Sequence, residues 1–143
     1  MKRGIDRITT VLIVEDEAIT AMDLKFNLED LGYEVIAVVD NGEDAVDIAA
    51  EKNPDITIMD IKLKGTMTGI EASKLIMDLG SPVIYLTANT DDGTFSDALS
   101  HSASYAFIGK PFNKILLKHN IECAIHRSEI ENEKLNLAHG FAK

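Results

Sequence analysis

The chain has 143 residues, 45% hydrophobic and 27% charged, with a formal net charge of −10 at pH 7, which suits one soluble domain with one core. The acidic balance disfavours nucleic-acid binding, because contacts to phosphates need a basic surface. No apolar run approaches the roughly 20 residues of a membrane helix, and residues 1–7 lack the apolar segment of a signal peptide. The single cysteine, Cys123, excludes an internal disulfide and favours a reducing, cytoplasmic location.

Short β-branched runs alternate with amphipathic segments along the chain. Strands are predicted where apolar runs are bounded by turn residues, and helices where apolar residues recur every three or four positions. The N-terminal residues 1–8 are expected to be a tail. The predicted strands cover 10–15, 35–39, 55–59, 83–86 and 105–109, and the predicted helices cover 17–31, 43–52, 70–79, 91–100 and the segment that Asn113 caps.

This alternation predicts parallel strands with helices on both faces, because right-handed crossover helices link each strand to the next. The predicted fold is α/β, a doubly wound five-stranded parallel sheet of flavodoxin-like (βα)5 type, with strand order 2-1-3-4-5. In this order the first and third strands flank the point where the strand order reverses. Side chains at the carboxyl ends of neighbouring strands are therefore expected to meet in one crevice.

Charged side chains follow three of the apolar runs: Glu15 and Asp16 the first, Asp60 the third and Lys110 the fifth. Adjacent carboxylates raise each other's pKa unless a cation lies nearby, so their position at a strand end favours a metal site. Each residue has a simpler interpretation when taken alone. Asp16 could cap the following helix, Asp60 could end a strand in a turn, and Lys110 could be a solvated lysine before a loop.

Four segments at these strand ends resemble the receiver domain of two-component response regulators, the CheY-like family. They are VLIVEDE, PDITIMDI, VIYLTA and AFIGKPF, which begin at residues 11, 54, 83 and 106. The resemblance covers about residues 9–127 and implies that Asp60 accepts a phosphoryl group from a histidine kinase. The chain is then a phosphorylation-dependent signalling switch and not an enzyme that acts on an external substrate.

The main alternative is a Mg²⁺-dependent phosphatase or phosphotransferase with an aspartate nucleophile. Such enzymes commonly carry an acid/base carboxylate two residues after the nucleophile, where this chain has Lys62. A flavin- or nucleotide-binding module is a second alternative. No glycine-rich phosphate loop follows the first predicted strand, which argues against it.

The resemblance also implies roles for the residues around Asp60. Mg²⁺ is expected to bind Glu15, Asp16, Asp60 and the backbone carbonyl of Lys62. Lys110 is expected to balance the charge of the phosphoryl group, and its bond to the following proline is expected to be cis. The loop after Asp60 departs from the commonest family pattern, because it lacks a proline and its glycine comes nine residues after the aspartate.

A conformational switch is implied by two further residues. Thr87 is expected to turn towards the phosphoryl group, and the ring of Phe107 to fill the space that Thr87 leaves. A permanently buried core position is the alternative for Phe107. Lys62 and Asn89 occupy positions that tune hydrolysis in the family. The predicted helix over 91–100, the fifth strand and the last helix form the expected output face, although 91–100 could also be a frayed surface helix.

The last predicted helix is longer than a receiver domain needs. Residues 9–127 are the predicted receiver domain and 128–143 a helical extension or linker, because 127–134 are nearly all polar. About 25 helical residues span about 38 Å. The extension could join another domain, pair with a second copy or fray. The expected partners are a sensor histidine kinase or phosphotransfer protein, and a second copy of the chain through the output face or the C-terminal helix.

Overall fold

The computed structural model describes residues 7–63, 65–87 and 106–138. Its elements are, in chain order, β1 (Thr10–Val14), α1 (Ala18–Asp30), β2 (Glu34–Val39), α2 (Gly42–Lys52), β3 (Ile56–Asp60), α3 (Gly69–Asp78), β4 (Val83–Thr87), β5 (Ala106–Gly109) and α4 (Lys114–Ala138). The predicted helix over 91–100, together with Asn89, lies outside the described residues. Among the helices that are described, none combines the length and the apolar composition needed to cross a membrane.

All five strands form one parallel sheet in the order β2-β1-β3-β4-β5, as predicted. β1 and β3 are paired from Val11↔Ile56 to Val14↔Met59, so both strands end at the same edge of the sheet. β3 and β4 are buried along their whole length, which explains why both read as continuous rather than alternating apolar runs.

Helices cover both faces of the sheet and create two apolar clusters, because successive strand residues point to opposite faces. One cluster joins Val11 and Ile13 of β1 to α1 and α4. The other joins Leu12 and Val14 to α2 and α3. The doubly wound architecture is therefore confirmed. It leaves the carboxyl edge of the sheet uncovered between the two helical layers, and this edge carries the predicted site.

Side-chain caps fix where three of the helices begin. Asn41 and Asn113 accept backbone N–H groups at 2.8 Å at the starts of α2 and α4. Thr68 and Glu71 form a reciprocal capping box at the start of α3, with hydrogen bonds of 3.0 and 2.9 Å. Each cap stabilises its helix by about 1 kcal/mol. The capping box also fixes where the loop after β3 ends.

The C-terminal helix α4 runs for 25 residues, as its sequence predicted. Leu117, Ile121, Ala124 and Ile125 bury it against the sheet. Residues 126–133 are exposed or half-buried. The roles of this extension as a linker or as a contact between two copies stay predictions.

Candidate functional site

Asp60 is the last residue of β3 and is only 8% exposed. The register of β3 with β4 places it opposite Leu86, next to the end of β4. Its Oδ1 accepts a hydrogen bond from the backbone N–H of Lys62 at 3.0 Å. Its Oδ2 lies 3.4 Å from the ammonium of Lys110. The backbone therefore fixes Oδ1 of Asp60, while Oδ2 faces the ammonium of Lys110.

Glu15 and Asp16 follow β1, the neighbour of β3. Carboxylate oxygens of Glu15, Asp16 and Asp60 all lie within 4.8 Å of one another. Glu15 is 2% exposed, and its Oε2 accepts the backbone N–H of Glu17 at 3.1 Å. Helix α1 begins after Glu17 without a side-chain cap. The alternative in which Asp16 caps this helix is therefore wrong.

Lys110 follows β5 and directs its ammonium into the acidic cluster. Its Nζ lies 3.0 Å from Glu15 Oε1, 3.4 Å from Asp60 Oδ2 and 3.5 Å from Glu17 Oε1. The contact to Glu15 is an ion pair and not an aligned hydrogen bond, and this buried oxygen has no hydrogen-bond partner among the described residues. The Lys110–Pro111 peptide bond is cis, as the resemblance implied.

Burial raises the pKa of Glu15 from 4.5 to about 7. Lys110 and the N–H of Glu17 oppose the rise, whereas Asp60 adds to it. Burial lowers the pKa of Lys110, but the carboxylates of Glu15 and Asp60 outweigh it, so the net shift is upward. The lysine is therefore charged at neutral pH, and burial makes the Glu15 carboxyl bind a proton more readily than a solvated carboxyl does.

The donor set fits a hard divalent cation. Mg²⁺ prefers carboxylate and other oxygen ligands, and the cluster offers three carboxylates, one of which has a buried oxygen without a hydrogen bond. In the described ranges, no other group of three or more acidic, histidine or cysteine side chains lies this close together. The backbone carbonyl of Lys62 as a further ligand stays a prediction.

Thr87 and Phe107 lie on neighbouring strands, where the register pairs Tyr85 with Phe107. Thr87 is buried, and Phe107 is half-buried with its ring centroid 5.4 Å from that of Tyr85. The Tyr85 hydroxyl shares a hydrogen bond with Ser73 of α3. The ring of Phe107 thus contacts a ring that is tied to α3. The switch roles of Thr87 and Phe107 stay predictions.

Gly69, the first residue of α3, lies close to the backbone carbonyl groups of Asp60 and Ile61. A Cβ atom at this position would lie 2.9 Å from the carbonyl oxygen of Asp60 and 3.0 Å from that of Ile61. The first distance is shorter than real Cβ contacts and the second is tighter than most of them, so the backbone at one of these positions must shift. The sequence signal for this contact is the position of the glycine, nine residues after the aspartate.

Gly69→Ala is expected to destabilise the domain by about 1–3 kcal/mol, because the added methyl group forces the end of β3 and the start of α3 apart. Denaturant unfolding at equilibrium measures this. Gly109→Ala is the matched control, since a Cβ atom there meets no described residue within 4 Å, and its stability should stay within about 0.5 kcal/mol of the wild type. Equal stability of the Gly69 variant and the wild type would contradict the close approach.

Comparison with known proteins agrees with this geometry. Residues 11–122 match the model of the response regulator receiver domain family. The transcriptional regulatory protein PdtaR of Mycobacterium tuberculosis is 36% identical over 118 residues, which cover 82% of this chain and 57% of PdtaR. The signal receiver domain of a modulated diguanylate cyclase from Desulfovibrio desulfuricans G20 has a TM-score of 0.82 at 37% identity, covering 87% of this chain and 99% of that one.

One solved structure bears on the metal. The receiver domain of the sensor histidine kinase PA1611 from Pseudomonas aeruginosa PAO1 was crystallised with a magnesium ion coordinated in its active site cleft. It has a TM-score of 0.75 at 27% identity and covers 84% of this chain and 99% of that one. The acidic crevice of the present chain lies in a domain of the same fold.

The parallel five-stranded α/β sheet with an acidic crevice at its carboxyl edge agrees with the match to the receiver domain family. The chain belongs to the response regulator receiver domain family of two-component signal transduction. The predicted family and fold are therefore confirmed. The chain spans only about half the length of PdtaR.

Proposed function

We propose that this chain is a phosphorylation-dependent switch and that Asp60 is its phosphoacceptor. The observation that supports this most strongly is the convergence of Glu15, Asp16, Asp60 and Lys110, from three strands, on one crevice. A sensor histidine kinase or a phosphotransfer protein is the proposed donor. In this role the chain modifies itself and turns over no external substrate.

Asp60 is the proposed nucleophile. One of its carboxylate oxygens forms a bond to phosphorus, while the bond from phosphorus to the donor's leaving atom breaks and that atom keeps the electron pair. For a phosphohistidine donor the leaving atom is an imidazole nitrogen. Because the N–H of Lys62 holds Oδ1, we assign the attack to Oδ2. Later attack of water on phosphorus restores the carboxylate and releases inorganic phosphate.

Positive charge is needed because a carboxylate and a phosphoryl group repel each other. Glu15, Asp16 and Asp60 would hold Mg²⁺, which supplies two positive charges next to the transferring group when it is bound. Lys110 supplies a third, fixed charge beside Oδ2. Thr87 is proposed to donate its hydroxyl hydrogen to a phosphoryl oxygen, and Phe107 to follow its movement.

The test uses the full chain, Mg²⁺ and a small phosphodonor such as phosphoramidate, followed by intact mass spectrometry. The expected result is a gain of one phosphoryl group that disappears when EDTA removes the metal. A folded protein that gains no mass would overturn the proposal. Release of phosphate from added monoesters, without any labelled protein, would instead support the phosphatase alternative.

Mg²⁺ affinity is expected to fall as the pH drops below 7, because the cation competes with a proton on Glu15. With the pKa of Glu15 raised to about 7, binding at lower pH must release a proton that is absent at pH 8. The dissociation constant should therefore rise towards about tenfold per pH unit below 7 and level off above it.

Isothermal titration calorimetry between pH 5.5 and 8.5 measures this dependence. The Glu15→Gln variant should bind Mg²⁺ more weakly at pH 8, with a much flatter pH profile. If the affinity of the wild type does not change between pH 5.5 and 7, Glu15 does not titrate with metal binding.

A further inference from the structure

Glu17 brings a fourth carboxylate to the crevice, although it is outside the group of potential metal ligands. Its Oε1 lies 3.5 Å from the Nζ of Lys110, and its side chain is 67% exposed. The same oxygen accepts a hydrogen bond from Thr20 Oγ1 at 3.1 Å. The carboxylate of Glu17 is therefore largely in solvent but contacts the ammonium of Lys110, which also lies beside Asp60.

A groove of about 490 Å³ opens beside Lys110, lined by Ile19, Thr20, Asp23, Lys110, Pro111 and Phe112. Asp23 adds a second negative charge to the wall that contains Thr20, the hydrogen-bond partner of Glu17. A small phosphodonor in this groove is exposed to the negative charge of Asp23, and at Lys110 also to that of Glu17. Fields of this kind change the association rates of charged ligands.

We propose that Glu17 is a specificity-determining residue that disfavours dianionic small-molecule phosphodonors. Donors with an uncharged or cationic leaving group, such as the protonated imidazole of phosphohistidine, are favoured in comparison. This role presupposes the phosphoacceptor function proposed above. Glu17 acts in two ways: its carboxylate repels an anionic donor, and it offsets part of the positive charge with which Lys110 attracts one.

The charge of the donor sets the size of the effect. Two unit charges about 6 Å apart in water interact strongly enough to change a rate about threefold. Glu17→Gln should therefore raise the second-order rate of phosphorylation about tenfold with acetyl phosphate, a dianion, and about threefold with phosphoramidate, a monoanion at pH 7. The ratio of the two rates then shifts about threefold, and the shift should vanish at 1 M salt, where the Debye length is about 3 Å.

The test measures both rates by quenched intact mass spectrometry at saturating Mg²⁺, for the wild type, Glu17→Gln and Glu51→Gln. Glu51 is exposed on α2, so its variant makes the same charge change away from the crevice. The expected result is a changed donor ratio in Glu17→Gln alone, and only at low salt.

Equal acceleration with both donors, no acceleration with either, or the same shift in Glu51→Gln would overturn the assignment to Glu17. A wild-type protein that neither donor phosphorylates would instead overturn the phosphoacceptor function itself. The two failures are therefore distinguishable within one data set.

Discussion

Asp60→Asn is expected to abolish phosphorylation by Mg²⁺ and a small phosphodonor. The amide of asparagine has nearly the shape of the carboxylate, and its oxygen can still accept the N–H of Lys62, so the fold should be kept. It carries no negative charge and is not a nucleophile towards phosphorus. The measurement is the phosphorylated fraction by intact mass, with circular dichroism to verify folding.

Asp47→Asn is the matched control for this change. Asp47 is exposed on α2, and its variant should be phosphorylated at the wild-type rate. If Asp60→Asn is still phosphorylated to a similar extent, the acceptor is another residue and the proposed chemistry is wrong.

Lys110→Ala is expected to have two opposite effects. The ammonium competes with a bound cation for Glu15 and Asp60, which lie 3.0 and 3.4 Å from it, so its removal should tighten Mg²⁺ binding about tenfold. It should also slow phosphorylation by about 10²–10³-fold, because a fixed positive charge beside the transferring group is lost. Either effect alone could follow from a distorted site, whereas the combination points to charge balance.

Calorimetry and intact mass spectrometry measure the two effects on the same preparation. Lys118→Ala serves as the control, because Lys118 lies on α4 in an exposed ion pair with Glu122. Weaker Mg²⁺ binding in Lys110→Ala, or an unchanged rate of phosphorylation, would contradict the assigned role.

Strands and topology could be predicted from the sequence because the apolar runs are short and bounded by turn residues. The observed limits of the third strand differ from the predicted ones by one residue, because hydrogen bonds and strand pairing, and not hydrophobicity, decide where it begins and ends. Asp55 was predicted to begin the third strand, but its carboxylate accepts the N–H and hydroxyl of Thr10 at 2.8 and 3.1 Å. Asp60, predicted to follow that strand, is its last residue because it pairs with Leu86.

The meeting of Glu15, Asp16, Asp60 and Lys110 could also be predicted, since the strand order alone brings these strand ends together. Other contacts could not. The ion pair of Glu17 with Lys110 depends on side-chain conformations that no local pattern encodes.

The hydrogen bond between Ser73 and Tyr85 was also beyond prediction. In sequence, Ser73 is an ordinary helix residue and Tyr85 an ordinary strand residue. The distance between these two side chains depends on how α3 packs on the sheet. The apolar pattern predicts which face of α3 is buried, but not the position of the helix along the strands.

Reductive trapping with borohydride tests most directly whether Asp60 is the phosphoacceptor. Borohydride converts an aspartyl phosphate to homoserine, so peptide mass spectrometry identifies the residue that carried the phosphoryl group. After incubation with Mg²⁺ and phosphoramidate, homoserine is expected at position 60 alone, and at no position when EDTA is present. Homoserine at Asp16 or at any other aspartate, or a phosphorylated protein that yields none, would contradict the account.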